Sequence, residues 1–239
     1  MPQCSPKAGS ALAVIGTVHT PFGEKFGIPR QPGLAAAAVG VLELHPPYNR
    51  PEAITGLEGF SHLWLLFLFH GIKAASWQPT VRPPRLGGQR RTGVFASRSP
   101  YRPNGLGLSA VALLDIDCRE GVRLTLGGVD LLDGTPVVDI KPYLPYADAI
   151  PARGGYADEP PRAAPVVLSP QAQAFCQDYR QAKGLDLAAL VVQVVGTDPR
   201  PAFDRRPRLY GLQLWDVNVR WRAREGGFEV VDIAFLDRA

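Results

Sequence analysis

Residues 108–131, LSAVALLDIDCREGVRLTLGGVDL, decide the fold. Two apolar-rich runs, 108–117 and 121–131, flank Arg119-Glu120-Gly121, a short glycine-containing connection of the kind that reverses a chain between antiparallel strands. Working outward, a strand is expected at 11–20, where Val14, Gly16 and Val18 alternate with Ile15, Thr17 and His19. Another is expected at 39–45, where Leu42 and Leu44 alternate with Val41 and Glu43. Residues 60–69 are nearly all apolar or aromatic, as a strand buried on both faces or built into a barrel wall requires. Strands at 93–96 and at 136–140, the latter after the turn Asp133-Gly134-Thr135, bring the expected number to seven. Short strands punctuated by turns, with no long helical period between them, make an antiparallel barrel or sandwich, mainly β.

After Tyr143 the composition changes. Residues 146–168 are rich in Pro, Ala and Gly and read as a linker or extended arm. Ser169-Pro170 is an N-cap and first-turn pair, and a helix over 172–182 follows, closed by Gly184. Asp186 opens a second helix that runs to Val195. Residues 208–222 alternate, with Leu209, Gln213, Trp215, Val217, Val219 and Trp221 at odd positions. Glu225-Gly226-Gly227 then turns the chain into 228–235. The expected organisation is a β-barrel domain at 1–145, the arm, and a small α+β domain at 169–239. That last unit, about 70 residues, is near the lower size for independent stability.

The totals exclude several classes. An apolar fraction of 46% supports a core, yet no run of about 18 apolar residues exists, so no membrane span is expected. Residues 1–16 lack the sustained apolar stretch of a signal peptide. Cys4, Cys118 and Cys176 are odd in number and far apart, which argues against a disulfide framework and for the reducing cytoplasm. Neither they nor His19, His45, His62 and His70 show metal-ligand spacing, and no metal site is expected. A net charge of +4 and a pI near 9.1 permit an RNA partner without requiring one.

The chemistry concentrates at 82–109, which carries Arg82, Arg85, Arg90, Arg91, Arg98 and Arg102 and no carboxylate. The acid-free zone extends over 59–114, in a chain with 22 acids. Arginine forks bind carboxylate or phosphate bidentately, and nearby acids would compete for them. Phe95 and Tyr101 add flat surfaces on which a base can stack. The stretch reads as an anion or nucleotide site, set against the alternative of a solvated basic loop. P-loop, dinucleotide-binding, G-x-S-x-G and Cys-His signatures are missing. The remaining loop motifs each lie within or beside an expected strand, so a barrel could gather them at one mouth.

These motifs together resemble the TsaA/TrmO family of β-barrel tRNA methyltransferases. The resemblance rests on P-x-x-E-K-F-x-x-P-R-Q-P-G at 21–33, G-L-E-x-F-S-H-L-W at 56–64, V-R-P-P-R-L-G-G at 81–88 and G-V-F-A-x-R-S-x-x-R-P-N at 93–104. It continues through D-G-T-P-V-V-D-I-K-P-Y-L-P at 133–145, D-P-R-P-A at 198–202 and N-V-R-W-R at 218–222, and so covers nearly the whole chain. It implies S-adenosyl-L-methionine as cofactor, held by a barrel rather than a Rossmann site, and a homodimer. The implied reaction is methylation of the exocyclic nitrogen of threonylcarbamoyladenosine at tRNA position 37. The implied partner is the anticodon-loop region of tRNA, of the threonine type.

Carried onto this sequence, the family's cofactor-binding segments fall on Pro29, Arg30, Gln31, His70, Gly71, Arg98, Leu108, Leu132, Asp133, Gly134 and Thr135. Arg102, Asn104 and Arg200 are candidates for the substrate's carboxylate and phosphates. The substrate nitrogen is ureido-like, so a positioned base would help it lose its proton. Asp139 is the first candidate, with Lys141 and Tyr143 as orienting or charge-stabilising neighbours. The competing reading makes Asp139 a structural carboxylate paired with Lys141. His62 reads as a hydrogen-bonded core histidine, and Trp215 and Trp221 as core packing. One departure from the family pattern is Phe203, where relatives often carry an aromatic hydroxyl. A contrasting class stays open: a barrel that binds nucleotide or RNA without catalysis.

Overall fold

The computed structural model describes residues 12–72, 77–201 and 208–236. Cys4, Ala202, Phe203 and residues 1–11 of the expected non-signal segment lie outside them. The deciding hairpin forms as β6 (Leu106–Asp117) and β7 (Arg123–Gly127), antiparallel, with Ala112 opposite Gly127 and Asp117 opposite Arg123. β1 (Gly16–His19), β2 (Val39–Leu44), β3 (His62–Leu68) and β8 (Thr135–Pro142) join them in a closed antiparallel barrel of order β1-β2-β7-β6-β3-β8. Inward side chains fill it: Val18, Leu42, Leu63, Leu65, Val111, Leu124, Leu126 and Val137 are all fully buried. Closure removes exposed strand edges, which six short strands could not otherwise protect.

One expectation for the barrel changes, and the two alternatives for residues 60–69 narrow to the barrel wall. Its wall has six strands rather than seven, because 93–96 is not part of it. Thr80–Val81 (β4) and Thr92–Gly93 (β5) form a separate two-stranded ribbon, and Val94–Ala96 is a single helical turn. Val94 is buried with its N–H given to the Pro79 carbonyl, so an apolar residue beside a glycine marks a turn here, not a strand. In addition, β3 is buried on one face only. Leu63, Leu65 and Phe67 point inward, whereas Trp64, Leu66 and Leu68 are only partly covered on the outside.

The C-terminal part is α+β. Helix α1 (Pro145–Asp148) is one short turn. Strand β9 (Val166–Leu168), at the end of the expected arm, pairs parallel with β12 (Gly227–Phe235) in a sheet of order β10-β11-β12-β9. Helices α2 (Pro170–Lys183) and α3 (Leu187–Gly196) cover this sheet. The Ser169 hydroxyl accepts from Ala172 N–H at 3.1 Å, Asp186 accepts from Ala189 N–H at 3.0 Å, and Gly184 closes α2 at φ 70°. The alternating run at 208–222 is two strands, β10 (Leu209–Leu214) and β11 (Val217–Arg224). The chain reverses at Trp215, which sits at φ 50°. The turn is held from outside: Tyr179 Oη donates to Asp216 at 2.6 Å, and its ring stacks on Trp215 at 6.1 Å. Trp221 is the core tryptophan of this sheet, fully buried against Tyr210 and Phe228.

The long loop between β1 and β2 is clamped by this C-terminal part. Trp215 N–H donates to the Pro21 carbonyl at 2.8 Å, and Gln213 N–H to the Glu24 carboxylate at 3.1 Å. Ala37 N–H donates to the Gln193 side chain at 2.8 Å. Gly27, at φ 91°, lies so close to Leu212 that an added Cβ would come within 2.1 Å of Leu212 Cδ1. A loop with no regular structure of its own is thereby fixed at both of its shoulders.

Candidate functional site

Antiparallel alternation sends three connections to the same end of the barrel. Residues 20–38 leave β1, 69–105 leave β3 and 128–134 leave β7, and all three return into β2, β6 and β8 from that end. They interlock through backbone. Gly33 N–H donates to the Gly128 carbonyl at 2.9 Å, Asp133 N–H to Phe22 at 2.8 Å, and Gly134 N–H to Val18 at 3.0 Å. Gly128 and Gly33 approach so closely that a Cβ on Gly128, at φ 70°, would meet Gly33 Cα at 3.1 Å. Thr20 ties the turn down, its hydroxyl bonding the Leu131 carbonyl at 2.8 Å and its N–H the Asp133 carboxylate at 2.9 Å.

Most of the expected cofactor residues meet here. Arg98 donates to the Gln31 side-chain carbonyl, which joins the first loop to the arginine loop, and Gln31 bonds back to the Arg30 carbonyl. His70 Nδ1 lies 3.3 Å from Thr135 Oγ1, which also donates to the Leu132 carbonyl at 2.6 Å. Asp133 stands 3.4 Å from His19 Nδ1. Gly71 forms a close cradle, since a Cβ there would lie 3.0 Å from both Leu132 Cδ2 and Lys25 Cε. Pro29 is buried beneath the loop, and Gly134 adopts the φ of 75° that the turn demands. Leu108 differs: it is on the outer wall near this end, paired with Leu66 and half exposed.

The substrate candidates are dispersed. Arg102 braces the arginine loop, donating to the Val94 carbonyl at 3.2 Å and the Ser97 carbonyl at 2.8 Å, with its guanidinium 5.7 Å from the Phe95 ring. Asn104 is exposed just before β6. Arg200 lies in the C-terminal part, buried, bonded to Asp198 at 2.7 and 3.0 Å and set over Phe228 at 5.2 Å. The chain between the two parts also touches the arginine loop. Tyr156 Oη donates to the Ala96 carbonyl at 3.1 Å, and Arg85 donates to the Glu159 carbonyl.

Asp139, Lys141 and Tyr143 are together on the outer wall, with Asp139 at the level of Leu66 and Leu108 and the other two farther from the mouth. A bulge between Leu66 and Phe67 on β3 makes Val138 an extra residue and turns Asp139 outward beside Leu66. Asp139 is 3.2 Å from Lys141 Nζ and accepts from Ile140 N–H at 2.9 Å. The Tyr143 ring packs on Trp64 at 5.5 Å. His62 is not a core histidine. It opens β3 exposed, 2.9 Å from Ser61 Oγ, because the inward series starts one residue later at Leu63.

One pair at the mouth is absent from the sequence-based set. Ser109, 2% exposed and facing into the barrel, donates to Asp130 at 2.7 Å. Burial pushes the Asp130 carboxyl up to about 6, against opposing pulls from Ser109 and Arg98.

Comparisons with known proteins cover both parts of the chain. The model of the tRNA-methyltransferase O N-terminal domain matches residues 17–149, and that of the TrmO C-terminal domain matches 161–236. The chain belongs to the tRNA-methyltransferase O family. A tRNA (adenine(37)-N6)-methyltransferase of Escherichia coli (strain K12) is 49% identical over 222 residues, covering 90% of this chain and 94% of that protein. A putative S-adenosylmethionine-dependent methyltransferase, RcsF, of Pseudomonas aeruginosa is 49% identical over 228 residues, covering 94% and 97%. The crystal structure of TrmO from Pseudomonas aeruginosa superposes with a TM-score of 0.81 at 44% identity over 95% of this chain and 98% of that one. The similarity spans both the closed barrel and the C-terminal part of this chain. Among the described residues no cluster of His, Cys, Asp or Glu could hold a metal ion, and no helix is long and apolar enough to cross a membrane.

Proposed function

We propose that the protein transfers a methyl group from S-adenosyl-L-methionine to the exocyclic nitrogen of threonylcarbamoyladenosine at position 37 of tRNA. The observation that carries this reading is the set of loops at the barrel mouth, which hold Arg98 by a neutral partner, Gln31, and form the close Gly71 cradle against Leu132 and Lys25. A guanidinium oriented but not neutralised suits a carboxylate, and the close Gly71–Leu132 contact suits a flat, tightly enclosed group. Arg30, Gln31, His70, Gly71, Arg98 and 132–135 would hold the cofactor, which supplies a methyl group activated on a sulfonium. The protein's own work is then to place the nitrogen in line with that methyl and to take its proton.

Asp139 is the base in this reading, with Lys141 and Tyr143 steadying its charge. Because these three face outward from their own barrel, the role calls for a homodimer in which the outer wall of one copy closes the mouth of its partner. Leu106, Leu108 and Leu114 lie exposed along the outer face of β6, apolar surface that such a contact would cover. A solution mass of one chain, 25.8 kDa, would remove the base role from Asp139. So would an Asp139→Asn enzyme with normal turnover. We place the protein in the cytoplasm, where Cys118 and Cys176 stay free thiols.

The experiment is methyl transfer from labelled S-adenosylmethionine to tRNA with and without the threonylcarbamoyl group. Label confined to the modified tRNA is expected. Label in both would keep the enzyme class and discard the substrate. No label, with the cofactor bound, would leave a binding barrel.

A further inference from the structure

The mouth is lined mainly by cations and potential cations: Lys25, Arg30, Arg98, His19 and His70. Besides Glu24, which accepts from Gln213 N–H, two carboxylates stand among them, and they are held differently. Asp133 accepts from Thr20 N–H and stands 3.4 Å from His19 Nδ1, so it already has polar partners. Asp130 has one side-chain hydrogen-bond partner among the described residues, the Ser109 hydroxyl, and no cation within ion-pair distance. Arg98 acts on it only from farther off. A partly buried carboxylate without a counter-ion within ion-pair distance is costly. Its supporting serine is 2% exposed and comes from the barrel interior, so the carboxylate is braced from within the barrel.

That arrangement is suited to a cationic ligand group. The methyl donor proposed for this mouth carries two cationic centres, an ammonium and a sulfonium. A carboxylate against the sulfonium would stabilise a charge that methyl transfer removes, raising the barrier by the strength of the contact. A carboxylate against the ammonium stabilises ground and transition states alike and so adds affinity without that penalty. We propose that Asp130, braced by Ser109, receives the ammonium of the amino-acid end of S-adenosylmethionine, beside Arg98, which takes the carboxylate of the same end. The inference rests on the functional reading above and assigns one contact within it.

The test uses the full chain and calorimetric binding of three probes. S-adenosylmethionine carries both cations, S-adenosylhomocysteine keeps the ammonium but has no sulfonium, and 5′-methylthioadenosine has neither. Asp130→Asn is expected to weaken the first two alike, by about 10–100-fold, and to leave the third within about twofold. Ser109→Ala is expected to weaken the same two by a smaller factor. The melting temperature of ligand-free Asp130→Asn at pH 8 should equal or exceed that of the wild type, because an uncompensated charge has been removed. A loss confined to S-adenosylmethionine would move the contact to the sulfonium and overturn the assignment. Equal loss for all three probes with a lower melting temperature would make Asp130 structural and overturn it as well, as would unchanged binding. A wild-type chain that binds none of the probes would overturn the functional reading and this inference with it.

Discussion

The two parts of the molecule use arginine in opposite ways. In the C-terminal sheet two strand arginines face carboxylates across the ladder: Arg220 bonds Asp232 at 2.5 Å and Arg222 bonds Glu229 at 2.9 Å. Arg200 is closed by Asp198 at 2.7 Å. In the barrel loop the partners are neutral. Arg91 bonds Thr80 Oγ1 at 2.9 Å, Arg102 bonds two carbonyls, Arg85 a third, and Arg98 the Gln31 side chain. A carboxylate cancels a guanidinium, whereas a carbonyl or hydroxyl orients it and leaves the charge for another anion. The stretch 59–114 without Asp or Glu is thus the sequence form of a site whose positive charge is kept available. The difference separates arginines that hold the fold from arginines that can meet a phosphate.

Arg200 gives the sharpest test, because its sequence context placed it among substrate contacts while its surroundings are those of a structural pair. Its side chain is 10% exposed, Asp198 sits at φ 53° beside it, and Phe228 lies beneath. Removing one partner of such a pair leaves a poorly solvated charge. Arg200→Ala should cost about 3 kcal/mol of folding stability, read as a lower midpoint in urea at unchanged slope. An Arg200→Ala protein as stable as the wild type but weaker for tRNA would return the residue to the substrate side and break the contrast.

Much of the fold was legible because period-2 alternation and caps report local geometry directly. The β6–β7 hairpin, the Ser169 and Asp186 caps and the Gly184 stop all act within a few residues. What was not legible depends on distant partners. The turn at Trp215 carries no glycine or asparagine and is held by Tyr179 from α2. Strand β9 is three residues in a proline-rich arm and exists because β12 offers an edge. In the site, the gathering of three loops at one end followed from strand alternation, but the facing of Asp139 did not. Counting by twos from inward Val137 puts Asp139 inside the barrel, and only the bulge at Val138 turns it out. Asp130 was hidden for a related reason. Between Val129 and Leu131 it looks like the outward polar residue of a strand that in fact ends at Gly127. The signal that could have exposed it is Ser109, a polar residue in register with inward Val111.

The smallest expected effect separates available charge from total charge. Replacing Arg82 or Arg222 by alanine changes the net charge by the same amount, so an account based on net charge predicts equal consequences for tRNA binding. Arg82 is exposed in the acid-free loop, whereas Arg222 is already answered by Glu229. Each phosphate contact that releases a counterion contributes about 0.7–0.9 to the slope of log affinity against log salt. With affinity measured from about 50 to 200 mM salt, Arg82→Ala should flatten that slope by about one contact. Arg222→Ala should leave the slope unchanged and cost less than about 1 kcal/mol of stability, as an exposed pair does. Equal flattening by both substitutions would mean that the C-terminal sheet also meets the RNA and that its carboxylates step aside when it binds. In that case pairing within the free protein would no longer distinguish structural arginines from binding ones.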